Sequence, residues 1–148
     1  MESYKTSVLY NKKMNLIIFT DGGSLHNPGK AASSFLIYNG KKLLDRGAKH
    51  IGIASNNVAE YTALILALEK VKDIQKKESI KTITCYADSN LMVQQLRGVY
   101  KIKHPEMKKL NVRIKLLEME LGIVPSYHHI PREKNEEADF LVKEVLYS

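Results

Sequence analysis

The chain has 148 residues, 44% hydrophobic and 26% charged, a balance that suits one globular domain with a substantial core. No stretch approaches the roughly 18 apolar residues of a membrane span, and the lone Cys85 excludes an intrachain disulfide or a thiolate metal centre. The net charge of +7 favours polyanionic partners without identifying one. Met1 to Lys13 lacks the apolar core of a signal or transit peptide, so residues 1–13 are expected to be a loose extension ahead of a domain over 14–148. A cytoplasmic, membrane-free monomer is the expectation, in keeping with the single thiol.

Asn15 to Phe19 is a short apolar run that ends in Thr20-Asp21-Gly22-Gly23. Its length and the following glycines predict a strand buried on both faces, and such a strand carries Asp21 to the rim of an α/β sheet. An aspartate there is more often a turn former or helix cap than a ligand, so Asp21 alone decides nothing. Gly22 to Gly29 reads as a loop, Ala31 to Tyr38 as a second strand, and Asn39-Gly40 as a type I′ hairpin turn into a third strand from Lys42 to about His50. The mixed polarity of that third strand suits a sheet edge.

From Val58 to Lys72, Leu64, Ala67, Leu68 and Val71 recur at helical spacing, and the stripe extended backwards reaches Glu60. Glu60 therefore faces the core, although Asn57 as N-cap with Glu60 as capping-box partner explains the same residues. Ile80 to Ala87 reads as a strand ending in Asp88, followed by a short helix from Ser89 to Arg97 that Asp88 would cap equally well. His104-Pro105 opens a helix with Met107, Leu110, Ile114, Leu117 and Leu121 inward and Lys108, Lys109 and Arg113 largely outward. Pro125 to Ile130 is a short strand. Asn135 to Tyr147 is a last helix buried through Ala138, Leu141, Val142 and Val145, with Asp139 on the flank of that face.

The order βββαβααβα predicts an α/β fold with a five-stranded mixed sheet, three antiparallel strands then two parallel, flanked by helices. Right-handed crossovers place the fourth strand beside the first, so Asp21 and Asp88 end neighbouring strands, with Glu60 and Asp139 brought to the same rim by helices. Four acids together are costly without cations, because like charges raise one another's pKa.

Five segments, Thr20-Asp-Gly-Gly23, Asn27-Pro-Gly29, Ser55-Asn-Asn-Val-Ala-Glu60-Tyr61, Tyr86-Ala-Asp88-Ser89 and Pro131-Arg-Glu-Lys-Asn-Glu-Glu-Ala-Asp139, resemble ribonuclease HI. The likeness spans Met14 to Ser148 and is nearest the short archaeal-type branch. It implies a ribonuclease H-like fold and an endonuclease that hydrolyses the RNA strand of an RNA/DNA hybrid duplex, leaving 5′-phosphate and 3′-hydroxyl ends. It implies two Mg2+ ions, with Mn2+ as an alternative: Asp21 bridges both, Glu60 and Asp88 complete one site, and Asp139 completes the other. Two such ions ~4 Å apart activate a water and stabilise the leaving oxygen. The same resemblance assigns 2′-hydroxyl contacts to Gly22, Gly23, Asn56 and Asn57, and places Asn27 and Ser55 near a phosphate pocket. Taken singly, each of these is as readily a loop or cap residue.

Two departures stand out. Gly98 to Pro105 is too short for the tryptophan-bearing basic protrusion of many bacterial relatives, and the chain has no Trp. The loop before Asp139 lacks the family's mobile histidine and carries Pro131-Arg132, so Arg132 is the candidate for stabilising phosphate charge there. A non-catalytic nucleic-acid-binding module of the same fold, or a nuclease preferring double-stranded RNA, are the competing expectations. Retention of all four acids favours the enzyme.

Overall fold

The computed structural model describes residues 12–148. The extension expected over residues 1–13 thus lies, apart from Lys12 and Lys13, outside the described residues. The elements are β1 (Met14–Ser24), β2 (Gly29–Asn39), β3 (Lys42–Ala54), α1 (Asn56–Gln75), β4 (Ile80–Ala87), α2 (Asn90–Leu96), α3 (Pro105–Leu121), β5 (Ser126–His129), a 3-10 turn (Arg132–Lys134) and α4 (Glu136–Leu146). The strands form one sheet in the order β3-β2-β1-β4-β5. β1, β2 and β3 pair antiparallel, while β4 runs parallel to β1 and to β5. This is the predicted mixed sheet with three antiparallel and two parallel strands.

Alternation along the strands decides which side is dry. Leu16 and Ile18 of β1, Phe35 and Ile37 of β2, and Ile83 and Cys85 of β4 pack with Leu64, Leu68 and Val71 of α1 and with Ile114 and Leu117 of α3. Leu16 and Ile18 are fully withdrawn from water, each worth roughly 1.5–3 kcal/mol before conformational entropy is subtracted. The opposite face is covered only in part, by α4, whose Val142 and Leu146 pack on Ala32. Ile17 and Phe19 are consequently half-buried, which corrects the expectation of a strand buried on both faces. Over the part that α4 leaves open, Phe19 stacks on Tyr86 at 5.4 Å, and Tyr86 meets His128 at 5.5 Å.

Among the boundaries that differ from the sequence reading, three do so for a tertiary reason. β1 does not end at Asp21. Its pairing with β4 stops at Thr20 opposite Ala87, but its ladder with β2 continues through Gly22 and Gly23 to Ser24. β3 runs on to Ala54, with register shifts near Tyr38 and Ala32 that absorb one residue each. The hairpin turn is Gly40-Lys41 rather than Asn39-Gly40: Asn39 pairs with Lys42, and Gly40 alone takes a positive φ, 61°. The ladder therefore claims Asn39, and no type I′ turn forms.

Candidate active site

The end of the β1–β4 pairing leaves Asp21 and Asp88 at the same level on adjacent parallel strands. The competing cap assignments for two acids are resolved by their neighbours. Ser55, not Asn57, is the N-cap of α1, its hydroxyl accepting from the Val58 amide at 3.2 Å. Glu60 is therefore free to face inward, and it is only 6% exposed. Ser89 caps α2 by accepting from the Met92 amide, so Asp88 is not needed there.

Asp21, Glu60 and Asp88 each offer a carboxylate oxygen, and these oxygens all lie within 4.8 Å of one another. Glu60 Oε1 and Asp88 Oδ2 are buried without a hydrogen-bond partner among the described residues. Burial, and then the charges of Asp88 and Asp139, push the Asp21 carboxyl up to about 8, with the nearby Gly22 amide acting in the opposite direction. Glu60 is raised well above the usual carboxylate range, first by burial and then by Asp21 and Asp88. Such a cluster must take up protons or a cation to stand at neutral pH. Oxygen-only donors, two of them orphaned, fit a hard divalent ion such as magnesium, for which histidine and cysteine are poor ligands.

Asp139 occupies a different position. It lies in the first turn of α4, outside the close group of three, and pairs with Lys143 one turn on, Oδ2 to Nζ 2.9 Å. The Asp139 contact raises the Lys143 ammonium, whose charge in turn reaches Asp21. Lys143 was not anticipated from the sequence. Its only signal was the i, i+4 spacing from an acid on a helix, which most often marks an ordinary surface pair. Arg132 stands exposed in the 3-10 turn, close enough to Lys143 for its charge to oppose that ammonium.

The proposed nucleic-acid contacts divide. Asn27 Oδ1 accepts from the Asn56 amide at 3.0 Å, and Asn56 Oδ1 accepts from both the amide and the hydroxyl of Ser24. With Ser55 as cap, these side chains fasten the β1–β2 loop to the start of α1, so the structure shows their loop and cap roles directly. Asn57 is exposed and makes no side-chain hydrogen bond among the described residues. Gly22 has a packing reason to lack a side chain: a Cβ there would fall inside the main chain of Ala59 and 2.5 Å from the Glu60 amide nitrogen. That close approach brings Glu60 to Asp21. Gly23 faces Val142 instead, with room for a methyl group.

A sequence model of the RNase H family matches residues 13–147. This chain belongs to the RNase H family. Among solved structures it resembles LC11-RNase H1, described in complex with an RNA/DNA hybrid, at 41% identity over 88% of this chain and 95% of that one, with a TM-score of 0.82. It is 37% identical to Ribonuclease HI of Halobacterium salinarum over 86% of this chain and 62% of the relative. The Bifunctional protein Rv2228c of Mycobacterium tuberculosis is 33% identical over 90% of this chain, and the match takes in only 36% of that protein. The chain thus spans about a third of the length of the mycobacterial relatives it matches.

Proposed function

We propose that this RNase H-family chain is a divalent-metal-dependent endoribonuclease that hydrolyses the RNA strand of RNA/DNA hybrids, leaving 5′-phosphate and 3′-hydroxyl ends. The observation that carries the reading is the convergence of Asp21 and Glu60, both buried, with the half-buried Asp88, mutually repelling and without a counter-cation of their own among the described residues. A non-catalytic module would have no use for that costly arrangement. The hybrid complex described for LC11-RNase H1 supports the choice of substrate.

Asp21, Glu60 and Asp88 are the residues that would hold the ion, with Asp139 joining from α4 as Lys143 releases it. Two magnesium ions, or manganese in their place, would supply an activated water and stabilise the departing oxygen of the phosphodiester. Arg132 lies near enough to Lys143 for its charge to act on it, and its guanidinium would stabilise anionic phosphate at this rim. Gly23, two residues after Asp21, and the exposed Asn57, three before Glu60, would contact the 2′-hydroxyls that distinguish RNA from DNA. The same reading takes the protein as a cytoplasmic monomer.

The test is incubation with end-labelled RNA/DNA hybrid, duplex DNA and duplex RNA, with and without magnesium or manganese. The expected result is metal-dependent cutting of the hybrid's RNA strand alone, with a requirement for consecutive ribonucleotides and weak sequence preference. Equal cutting of duplex DNA, or preferential cutting of duplex RNA, contradicts it.

A further inference from the structure

Ser33 and Ser34 are adjacent on β2, fully buried, and lie directly across the ladder from Gly22 and Asp21 respectively. Successive strand residues point to opposite faces, so the two hydroxyls serve the two helices that flank the sheet. Ser33 Oγ donates to the Ala59 carbonyl of α1 at 2.6 Å, and Ser34 Oγ donates to the Ala138 carbonyl of α4 at 2.6 Å. Ala59 immediately precedes Glu60, and Ala138 immediately precedes Asp139. A third buried side chain repeats the pattern: Asn135 Nδ2 donates to the Thr20 carbonyl, just before Asp21, at 2.8 Å. The Asn135 carbonyl itself accepts from the Asp139 amide at 3.1 Å. The carbonyl before Asp88 is held by the main chain, from the Ile130 amide at 2.9 Å.

We propose that Ser33, Ser34 and Asn135 are positioning residues that set the spacing of the candidate metal-binding acids, Ser33 for Glu60, Ser34 for Asp139 and Asn135 for the link between Asp21 and Asp139. The physical case rests on where the bonds fall. A bond needed only to dock a helix would serve at any turn, whereas each of these falls on the peptide group that carries an acid. Apart from a few polar contacts such as Ser24–Asn56 and Tyr38–Glu137, the sheet meets α1 and α4 through apolar side chains, which resist sliding weakly. Directional bonds of 2.6 Å to that peptide group remove the freedom that the acids' mutual repulsion would otherwise exploit. A helical carbonyl has a second lone pair for its own ladder, so serine to alanine removes the tether without orphaning a buried acceptor. Outer partners of metal-binding groups typically change metal affinity or activity by about 10- to 100-fold when removed.

This inference rests on the metal-dependent reading above, and its test separates the two. Ser33→Ala, Ser34→Ala and Asn135→Ala are compared with Val71→Ala and Leu146→Ala, which cut core packing on α1 and α4 far from the acids. The readouts are the magnesium concentration for half-maximal hybrid cleavage, KM for hybrid, and the rise in melting temperature that magnesium gives the free protein. Ser33→Ala and Ser34→Ala are each expected to raise the half-saturating magnesium about 10-fold or more, with KM changed less than about twofold. Ser33→Ala also blunts the metal-induced thermal rise, because Glu60 belongs to the close trio of acids; Ser34→Ala spares most of it. The two controls lower the melting temperature and leave the metal dependence alone. Metal dependence within about twofold of wild type in both serine variants overturns the proposal even if Asn135→Ala fails to fold. So does an equal shift in the controls. If the wild type responds thermally to magnesium but cuts no hybrid, the functional reading falls while the thermal comparison still tests the positioning of Glu60.

Discussion

The two halves of the acidic rim solve the problem of anionic charge differently. Asp21 and Glu60, buried, are drawn together with the half-buried Asp88, with no basic side chain among them in the described residues, and protons must stand in for a cation when none is bound. Asp139, half-buried in the first turn of α4, has the exposed Lys143 as its own counter-ion, and the charge of Arg132 acts on that lysine. The buried half is neutral at physiological pH only by holding protons or a cation, whereas the more exposed half is already paired. The contrast teaches where metal affinity resides and where exchange is cheap, since an exposed ion pair is held by little free energy.

Breaking the buried half should have the largest effect. Asp21→Asn or Asp88→Asn is expected to abolish cleavage while the protein stays folded and as thermostable in chelator as the wild type, or more so, because a repelling charge is gone; cleavage kinetics and melting curves check both. Activity within about tenfold of wild type removes these residues from the site. The same half can be broken without touching a carboxylate. In Gly22→Ala the new methyl meets the Ala59 and Glu60 main chain, which must retreat by a fraction of an ångström to about one ångström. A displacement of that size is expected to lower kcat at least about 100-fold and to destabilise the fold by about 1–3 kcal/mol. Denaturant melts and steady-state kinetics on the same preparation measure it.

The exposed half should yield smaller numbers. Arg132→Ala is expected to lower kcat ~10- to ~100-fold, below what a buried charge stabiliser contributes because water screens this guanidinium, and lysine should rescue it only in part. Binding to uncleaved hybrid in calcium should change less than kcat. Normal turnover in Arg132→Ala would leave the residue as surface charge. Smallest of all is Lys143→Ala, which frees Asp139 from its counter-ion. Magnesium should then saturate at lower concentration, by less than about fivefold, as befits an exposed pair. A shift in the other direction would mean that Lys143 acts on the substrate rather than competing with the metal.

Much of this architecture was legible because it is written in local periodicity. The helical stripe through Leu64, Leu68 and Val71 and the apolar runs at Leu16 and Ile83 sufficed for the sheet and its order. Gly22 and Gly23 misled, since glycine is a weak strand former and reads as loop. The reason Gly22 sits inside β1 is the backbone of α1, nearly forty positions away in the chain. Asn57 and Ser55 are both able caps for α1 in the local sequence, and Ser55 takes the position because β3 runs on to Ala54 just before it. The acids were legible through their family context rather than their spacing. Their supports were not: the Ser33 and Ser34 bonds span 26 and 104 positions, and such contacts leave no periodic trace. Lys143 looked like any helical surface lysine.

The central claim is that the trio of Asp21, Glu60 and Asp88 is built for a divalent cation, and the most direct measurement is the melting temperature of wild type and Asp21→Asn across pH, in chelator and in magnesium. The Asp21 carboxyl is raised in the folded state relative to the unfolded chain. Its contribution to metal-free stability is therefore full below about pH 4 and lost as pH rises toward about 8. The account predicts that metal-free wild type loses stability relative to Asp21→Asn as pH rises through that window. It also predicts that magnesium restores the wild type, more so at the alkaline end where it no longer competes with a proton, and does little for the variant. Parallel metal-free curves for the two proteins, together with no magnesium response in the wild type, would contradict it.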